Sequence, residues 1–323
     1  MVLSRLRRTI HERGLLYGGE RVIVACSGGP DSMALLDLLS RLESELKLEL
    51  IAAGVDHGLR EEAAKELALV EREASRREIE FVALSVEVRQ GASLQDAARD
   101  ARYAALLELK RARRADKIAI GQHLDDQAET VLQRILRGGG LSGLAGIEPA
   151  REDGVIRPLI DIPRADLLAH LKRFDIPFAL DPSNLDPRHA RVRIREELLP
   201  ALSKEDPQIA LHLSRLADEA RAYRARERAA LDYALAQIPR GESVELDWFE
   251  AAPEHQRGAL LAAFIQRELP IALSRPHREF IAGLIGGPGE VLLPEGHRIL
   301  RVDRRIVLDT TLLSQNRSRI EDA

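Results

Sequence analysis

From residue 21 onward the chain alternates short apolar runs with stretches in which apolar residues recur at helical steps. The runs at 22–26, 50–55, 81–88 and 117–121 read as strands, and the stretches at 31–46, 60–77, 94–114 and 125–136 read as helices. Strands alternating with helices of ten or more residues predict parallel βαβ units. The expected fold class is therefore α/β, an open, doubly wound, mostly parallel sheet with helices on both faces. A short strand at 155–157 extends it. Pro158, Pro163, Pro177, Pro182 and Pro187 then punctuate a helix at 164–174 and an irregular loop.

The pattern changes after residue 205. Leu213, Leu216, Ala220, Tyr223 and Leu231 keep one apolar stripe, which predicts a single long helix over 205–238. Helices near 247–268 and 276–285 follow, then Gly286-Gly287-Pro288-Gly289 and short strands at 291–293, 298–302 and 305–308. The chain is expected to divide into a larger domain over 1–214 and a smaller α+β domain over 215–323, joined by the long helix. The polar segment 314–323 is expected to fray. At the other end Arg5, Arg7, Arg8 and Arg13 are interrupted by Glu12 and Glu20, which favours a surface helix over a transit peptide.

Composition narrows the class. With 45% hydrophobic and 31% charged residues the chain is ordinary for a globular protein. No run approaches the ~18 apolar residues of a membrane span, so no membrane partner is expected and the chain reads as cytoplasmic. The single cysteine, Cys26, rules out an internal disulfide, and no Cys/His cluster suggests zinc or iron–sulfur. A net charge of −4 argues little about nucleic acid, because clustering decides binding. Arg188, Arg191, Arg193 and Arg195 form one dense cluster of the side chain best suited to phosphate. Arg221, Arg224 and Arg228 form another at helical spacing. Asp218, Glu219 and Glu227 interleave with them, so a solvated helix face stands equally open.

Candidate chemistry gathers where strands end. Ser27-Gly28-Gly29-Pro30-Asp31-Ser32 joins the first strand to the first long helix, an arrangement in which backbone N–H groups converge on a phosphate. Gly28 and Gly29 admit close approach, Pro30 suits a first helical turn, and Asp31 lies beside the positive end of the dipole. The loop has no lysine and so is not a Walker A loop. An ordinary glycine-rich βα turn is the alternative. A second group, His123-Leu124-Asp125-Asp126-Gln127-Ala128-Glu129-Thr130, follows the strand ending at Gly121. His123, Asp126 and Thr130 share a helix face, and Glu129 lies three residues beyond Asp126, so both carboxylates reach one pocket. Acids that merely complement the dipole are the bland alternative. In Val55-Asp56-His57-Gly58-Leu59-Arg60, His57 is either a site residue or a satisfied turn histidine. Arg99, Arg102 and Tyr103 stand on the helix before the fourth strand. The glycines from 138 to 143 satisfy G-x-G-x-x-G but follow a helix, which excludes dinucleotide binding. Ala25 to Gly29 lies too close to the N-terminus for a hydrolase nucleophile elbow.

Taken in order, these motifs resemble the tRNA(Ile)-lysidine synthases of the PP-loop superfamily of ATP pyrophosphatases. The resemblance covers roughly 20–202. It includes S-G-G-x-D-S at 27–32, Val55 to Arg60, Ala101-Arg102-Tyr103, His123 to Thr130 and Leu136-Arg137-Gly138-Gly139-Gly140 with Gly143-Leu144. It continues through Arg157-Pro158-Leu159, Asp181-Pro182-Ser183-Asn184 and Arg191 to Pro200. The chain departs from the family at Gly139, usually serine, at Val192, usually asparagine, and at Gln122, often histidine. Longer members carry a further C-terminal module with no counterpart in the resemblance, which leaves the holding of the tRNA acceptor end open.

The resemblance implies an ATP-dependent ligase acting on the isoleucine tRNA with a CAU anticodon. ATP adenylates O2 of the wobble cytidine with release of pyrophosphate. Free L-lysine then attacks C2 and displaces AMP, which changes codon reading from AUG to AUA. On this reading 1–214 is catalytic and 215–323 binds tRNA. Ser27, Gly28, Gly29, Pro30, Asp31, Ser32, His57 and Gly121 hold ATP, and Asp31 also holds Mg²⁺. Arg102 adds a second cation. Asp126 and Glu129 bind the lysine ammonium and take its proton, a deprotonation that costs about 4–5 kcal/mol at neutral pH. A homodimer is the candidate assembly. A PP-loop tRNA thiolase is the near alternative, but one cysteine cannot relay sulfur. A non-catalytic tRNA-binding module is the distant one.

Overall fold

The computed structural model describes residues 2–56, 62–86, 94–179 and 190–309. His57, Gly58, Leu59, Arg60, Asp181, Pro182, Ser183, Asn184, Pro187 and Arg188, together with 314–323, lie outside the described residues. The chain forms two compact units, Met1–Arg221 and Ala222–Ala323.

The first unit runs α1 (Val2–Glu12), β1 (Arg21–Ala25), α2 (Pro30–Ser40), α3 (Glu43–Leu46), β2 (Glu49–Asp56), α4 (Glu62–Ser75), β3 (Glu80–Ser85), α5 (Leu94–Ala112), β4 (Lys117–Ile120), α6 (Leu124–Leu136), β5 (Val155–Ile156), α7 (Arg164–Arg173), α8 (Ala190–Arg193) and α9 (Leu199–Glu205). The five strands pair in the order β3-β2-β1-β4-β5, every pair parallel. Both faces of the sheet are covered, which is why its strands are apolar at consecutive positions. Val22, Val24, Leu50, Ala52 and Ala119 pack with α1, α2, α4 and α7. Their neighbours Ile23, Ile51, Ala53 and Ile118 pack on Leu106 and Leu109 of α5. The expected doubly wound sheet is present.

Its order positions the site. From β1 the chain steps to β2 and β3 on one side, then crosses to β4 on the other, so the sheet reverses direction between β1 and β4. Such a switch point opens a crevice beyond the carboxyl ends of the two strands. The 27–32 loop leaves β1 there and the 121–126 segment leaves β4 there. Helix α2 is fixed below the crevice by Asp37, 3% exposed, which accepts from Arg41 and Arg77 and pairs with His170 Nε2 of α7 at 2.7 Å. Burial alone would raise the Asp37 carboxyl; His170, Arg41 and Arg77 outweigh it and hold the group well below the usual carboxylate range.

The stretch expected as one helix over 31–46 is two, because α2 stops at Ser40 and α3 ends on Lys47 in the left-handed region. The long helix, α10 (Ile209–Gln237), has 29 residues and contains the division between the units.

The second unit holds β6 (Ser243–Glu245), α11 (Asp247–Glu250), α12 (Glu254–Glu268), α13 (Arg275–Gly286), β7 (Gly289–Leu292), β8 (Arg298–Val302) and β9 (Arg305–Asp309). Its antiparallel sheet has the order β6-β9-β8-β7. Its core centres on Phe249 and Phe264, whose rings meet edge to face with centroids 5.7 Å apart. Pro253 separates α11 from α12 where one helix was expected, and β6 is an addition to the expected strands. Among the described residues no helix is long and apolar enough to cross a membrane.

Candidate active site

At the end of β1 the backbone turns through Gly28, whose φ of +79° few side chains tolerate and whose Cβ would meet Glu66 at 3.2 Å. Gly29 caps α2 in an extended conformation and Pro30 occupies the first turn. The loop is cross-braced by Ser32, whose Oγ accepts from the Ser27 N–H at 3.1 Å and donates to the Gly29 carbonyl at 2.9 Å. Gly121 follows β4 and lies against this turn. A Cβ there would come within 3.0 Å of the Asp31 carbonyl group and 3.1 Å of the Ser32 nitrogen. Gly121 thus lets the two strand ends close on each other.

Asp31 projects from the first turn of α2. Its Oδ2 is 3.6 Å from His123 Nε2, and its Oδ1 is buried without a hydrogen-bond partner among the described residues. The nearest cation to that oxygen is Arg164 Nε at 3.8 Å, itself buried and unpartnered. Arg164 was not singled out in the sequence. The Pro163-Arg164 step at a helix start gave no chemical signal.

His123, 1% exposed, caps α6 in a reciprocal box: its backbone N–H donates to Asp126 Oδ2 at 3.1 Å, and its Nδ1 accepts from the Asp126 N–H at 3.4 Å. Burial opposes a charge on the ring, but Asp126, Asp31 and Asp125 together raise its pKa above the ordinary value. Asp126 shows the complementary effect. Burial would raise it, while His123, the two arginines Arg191 and Arg195, and the cap N–H hold it below the usual range. Thr130 is spent on the helix itself, donating to the Asp126 carbonyl at 2.8 Å.

Glu129 is fully buried, one turn further along α6. Arg191 Nε donates to its Oε2 at 2.7 Å and Arg195 Nε to its Oε1 at 2.6 Å. Arg191 also donates from Nη2 to Asp126 Oδ1 at 2.7 Å. The arginines come from α8 and the five-residue π turn Ile194–Leu198 that follows it. That segment lies on α6 through Ile194 and Leu199, which share a cluster with Ala128, Val131 and Leu132. The sequence grouped these arginines as an RNA surface and the acids as a separate pocket. The structure brings the two together.

Arg102 is half-buried and makes no hydrogen bond or ion pair with a described residue; burial is the main cause of its lowered pKa, Tyr103 opposing and Arg99 adding to it. Its neighbour Tyr103 is tied to the sheet edge, accepting from Arg157 Nη2 at 3.3 Å. Arg157, 3% exposed at the end of β5, also donates to Gln122 and to the Glu148 carbonyl. Gln122 therefore serves as an acceptor for arginine beside the cap. The glycines after α6 close its C-terminus, with the Gly139 N–H donating to the Arg134 carbonyl at 2.8 Å. No group of three or more His, Cys, Asp or Glu suited to a metal ion occurs among the described residues.

The sequence pattern of the PP-loop domain family matches residues 2–202. Curated tRNA(Ile)-lysidine synthases are similar to the same region. That of Symbiobacterium thermophilum is 42% identical over 212 residues, 63% of this chain and 44% of that protein. That of Clostridioides difficile is 37% identical over 206 residues, 62% of this chain and 45% of the relative. That of Methylobacterium nodulans is 43% identical over 223 residues, 68% and 65% of the two chains. The chain thus spans less than half the length of the first two. Among solved structures a U34-tRNA thiolase from Methanococcus maripaludis, with its [4Fe-4S] cluster, shares the fold. Its TM-score is 0.57 at 20% identity, over 68% of this chain and 77% of that one.

Proposed function

The chain belongs to the PP-loop domain family, and from that premise we propose that it is a tRNA(Ile)-lysidine synthase using ATP, free L-lysine and the CAU-anticodon isoleucine tRNA. One observation carries this reading. The 27–32 loop and the acid-bearing start of α6 converge on one crevice at the switch point, with Asp31 and His123 3.6 Å apart. A phosphate cradle and a carboxylate pair in one crevice suit a reaction that first activates with ATP and then binds an amine.

In the first step O2 of the wobble cytidine bonds to the α-phosphorus of ATP as the bond to the leaving pyrophosphate breaks. The loop from Ser27 to Ser32 cradles the phosphates, Gly121 keeps it closed on β4, and Arg102, without an ion-pair partner among the described residues, offers a cation to the developing charge. Asp31 fits Mg²⁺, because its Oδ1 is buried and accepts no hydrogen bond from a described residue, and Mg²⁺ is commonly held by one or two carboxylates together with substrate phosphates. The ion would offset charge on the leaving group. His57 belongs to the same ATP site on this reading. In the second step the lysine Nε bonds to C2, the C2–O2 bond breaks with loss of AMP, and the ammonium proton passes to the Asp126–Glu129 pair. That pair already holds cations, since it binds two guanidiniums. The 1–214 region carries this chemistry, 215–323 contributes to tRNA binding, and the assembly is a homodimer in the cytoplasm.

A sulfur-transfer reading gains nothing from Cys26, which is buried and whose thiol burial pushes up to about 12. The test is mass spectrometry of the tRNA after incubation of the full chain with ATP, Mg²⁺ and each amino acid in turn. A mass gain at the wobble cytidine with lysine alone is expected. A gain with a different amino acid, or none despite bound tRNA and ATP, would overturn the reading.

A further inference from the structure

Every oxygen of the acid pair assigned to lysine is already engaged by this chain. Asp126 gives Oδ1 to Arg191 and Oδ2 to the His123 N–H, and both oxygens of Glu129 are taken by Arg191 and Arg195. The Arg191 guanidinium bridges the two carboxylates at 2.7 Å on each side, which is the place a lysine ammonium has to take. An ammonium between the two carboxylates competes with that guanidinium for Asp126 Oδ1 and Glu129 Oε2, and two cations side by side there repel. The pair cannot stand empty either, because a wholly buried carboxylate without a counter-charge is strongly unfavourable. Lysine must therefore replace a guanidinium, and the departing arginine needs another anion.

Arg191 is the exchangeable one. Its side chain is 38% exposed against 27% for Arg195, and it spends one bond on each carboxylate, whereas Arg195 grips Glu129 with two. It also stands on the single turn of α8, directly before the π turn Ile194–Leu198. Such turns interrupt regular helical bonding and recur at functional sites. The anion that suits a guanidinium best is phosphate, bound bidentately.

We infer, resting on the function proposed above, that Arg191 occupies the lysine site of the free protein and that RNA phosphate draws it away, so that tRNA and lysine bind cooperatively. The exchange conserves ion pairs. Carboxylate–guanidinium becomes carboxylate–ammonium plus guanidinium–phosphate, and no buried charge is left alone. Coupling of this kind is reciprocal: whatever factor tRNA gives lysine, lysine must give tRNA.

The test uses the full chain without ATP, so that nothing reacts. Equilibrium dialysis of radiolabelled lysine is run with and without an unmodified CAU isoleucine tRNA transcript, and tRNA affinity is measured with and without lysine. In the wild type each ligand should tighten the other by about tenfold. Arg191→Ala should bind lysine without RNA about fivefold more tightly than the wild type, because the competing part-exposed guanidinium is gone, and should lose most of the coupling. Arg191→Gln, which keeps bulk and donors without charge, should behave in the same way, and thermal melting checks that both variants fold. The wild-type coupling is read without any variant. If the wild type binds both ligands but independently, or if Arg191→Ala binds lysine more weakly, the inference falls and the proposed function stands. If the wild type binds no tRNA, or binds no lysine even with tRNA present, the proposed function falls as well.

Discussion

Two helices begin at the same crevice and treat their acids in opposite ways. α2 opens on glycine and proline and presents Asp31 with one carboxylate oxygen buried and unmet. α6 opens on a histidine cap and presents Asp126 and Glu129 with every oxygen engaged. Folded proteins satisfy nearly all buried polar groups, so an orphan and a saturated pair carry different messages. On the proposed function, the orphan is the oxygen offered to a metal ion, with Arg164 Nε its nearest cation at 3.8 Å. The saturated pair marks a place where an outside ligand has to displace something already present. On the proposed function, one helix start takes a metal ion with the ATP phosphates, and the other exchanges a guanidinium for the lysine ammonium.

The largest effect should come from breaking the open end. Asp31→Ala should cut pyrophosphate release by at least about 10³-fold, the scale of losing a group aimed at developing charge. Stability should move by no more than about 1 kcal/mol, since the contacts of Asp31 with His123 and Arg164 are long, at 3.6 and 3.8 Å. Turnover near the wild-type rate at saturating Mg²⁺ would remove the loop from the mechanism. The saturated end should respond in the opposite proportion. Glu129→Gln removes the buried carboxylate that Arg191 and Arg195 share and leaves them Asp126 alone, and should cost about 3 kcal/mol, toward the lower end for a buried pair because Asp126 remains and both arginines are part exposed. Lysine transfer should slow by about 10²-fold, with Asp126 covering in part, while adenylation of the cytidine proceeds. Rapid-quench measurement of adenylated tRNA decides. A block at the adenylate with normal transfer from it would place Glu129 in the ATP site instead.

The open end was legible in the sequence because its cues are local. Glycines, a proline and an acid within six residues of a strand fix a turn and a helix start whatever lies elsewhere. The cap at His123 was not read, although a capping box spans only four residues: His123 was set on a helix face with Asp126 and Thr130, whereas it stands before α6 and caps it. The pairing of Glu129 with Arg191 and Arg195 crosses 62 and 66 residues, and the Asp37–His170 bond crosses 133. Sequence reasoning assigns charges to partners by sign and expected substrate, so it sent the arginines to RNA and the acids to lysine. β6 escaped notice for a different reason: three residues with one buried side chain, Val244, give no period to detect. Pro253 was visible, but the apolar stripe on both sides of it outweighed the break.

A gentler perturbation asks whether the two starts work as one site. Gly121→Ala places a Cβ about 3 Å from the backbone of Asp31 and Ser32 and should cost about 1–3 kcal/mol by overpacking. It should weaken ATP binding several-fold by shifting the 27–32 loop. Gly140→Ala is the control, because nothing lies within 4 Å of its Cβ. Equal ATP affinity in the two variants would mean that the loop holds its shape without β4.

The smallest effect is a dependence on pH, and it isolates the saturated end. His123 has its pKa raised, because Asp126, Asp31 and Asp125 outweigh burial. Its contribution to stability is fully present below the unfolded value, about 6.5, and is lost as pH rises through the folded one. Asp126 is held low, because His123, Arg191, the cap N–H and Arg195 outweigh burial. Its contribution is present above about 3.9 and is lost as pH falls through the folded value. The start of α6 should therefore stabilise the fold most between about pH 4 and pH 6.5. Protonation also has a local cost, since Nδ1 becomes a donor and loses the bond it accepts from the Asp126 N–H, a loss offset in part by Asp125, 3.6 Å away. Asp126→Asn removes the largest of the favourable partners of His123 and should flatten the alkaline decline of the melting temperature. The acid decline should persist in part, because Asp37 and Asp218 are also held low by their own arginines and, for Asp37, by His170. The alkaline limb is thus the cleaner readout. Should it keep its full slope in Asp126→Asn, the His123 ring is neutral throughout, the cap is its whole role, and the charge at the start of α6 rests on the arginine pairs alone.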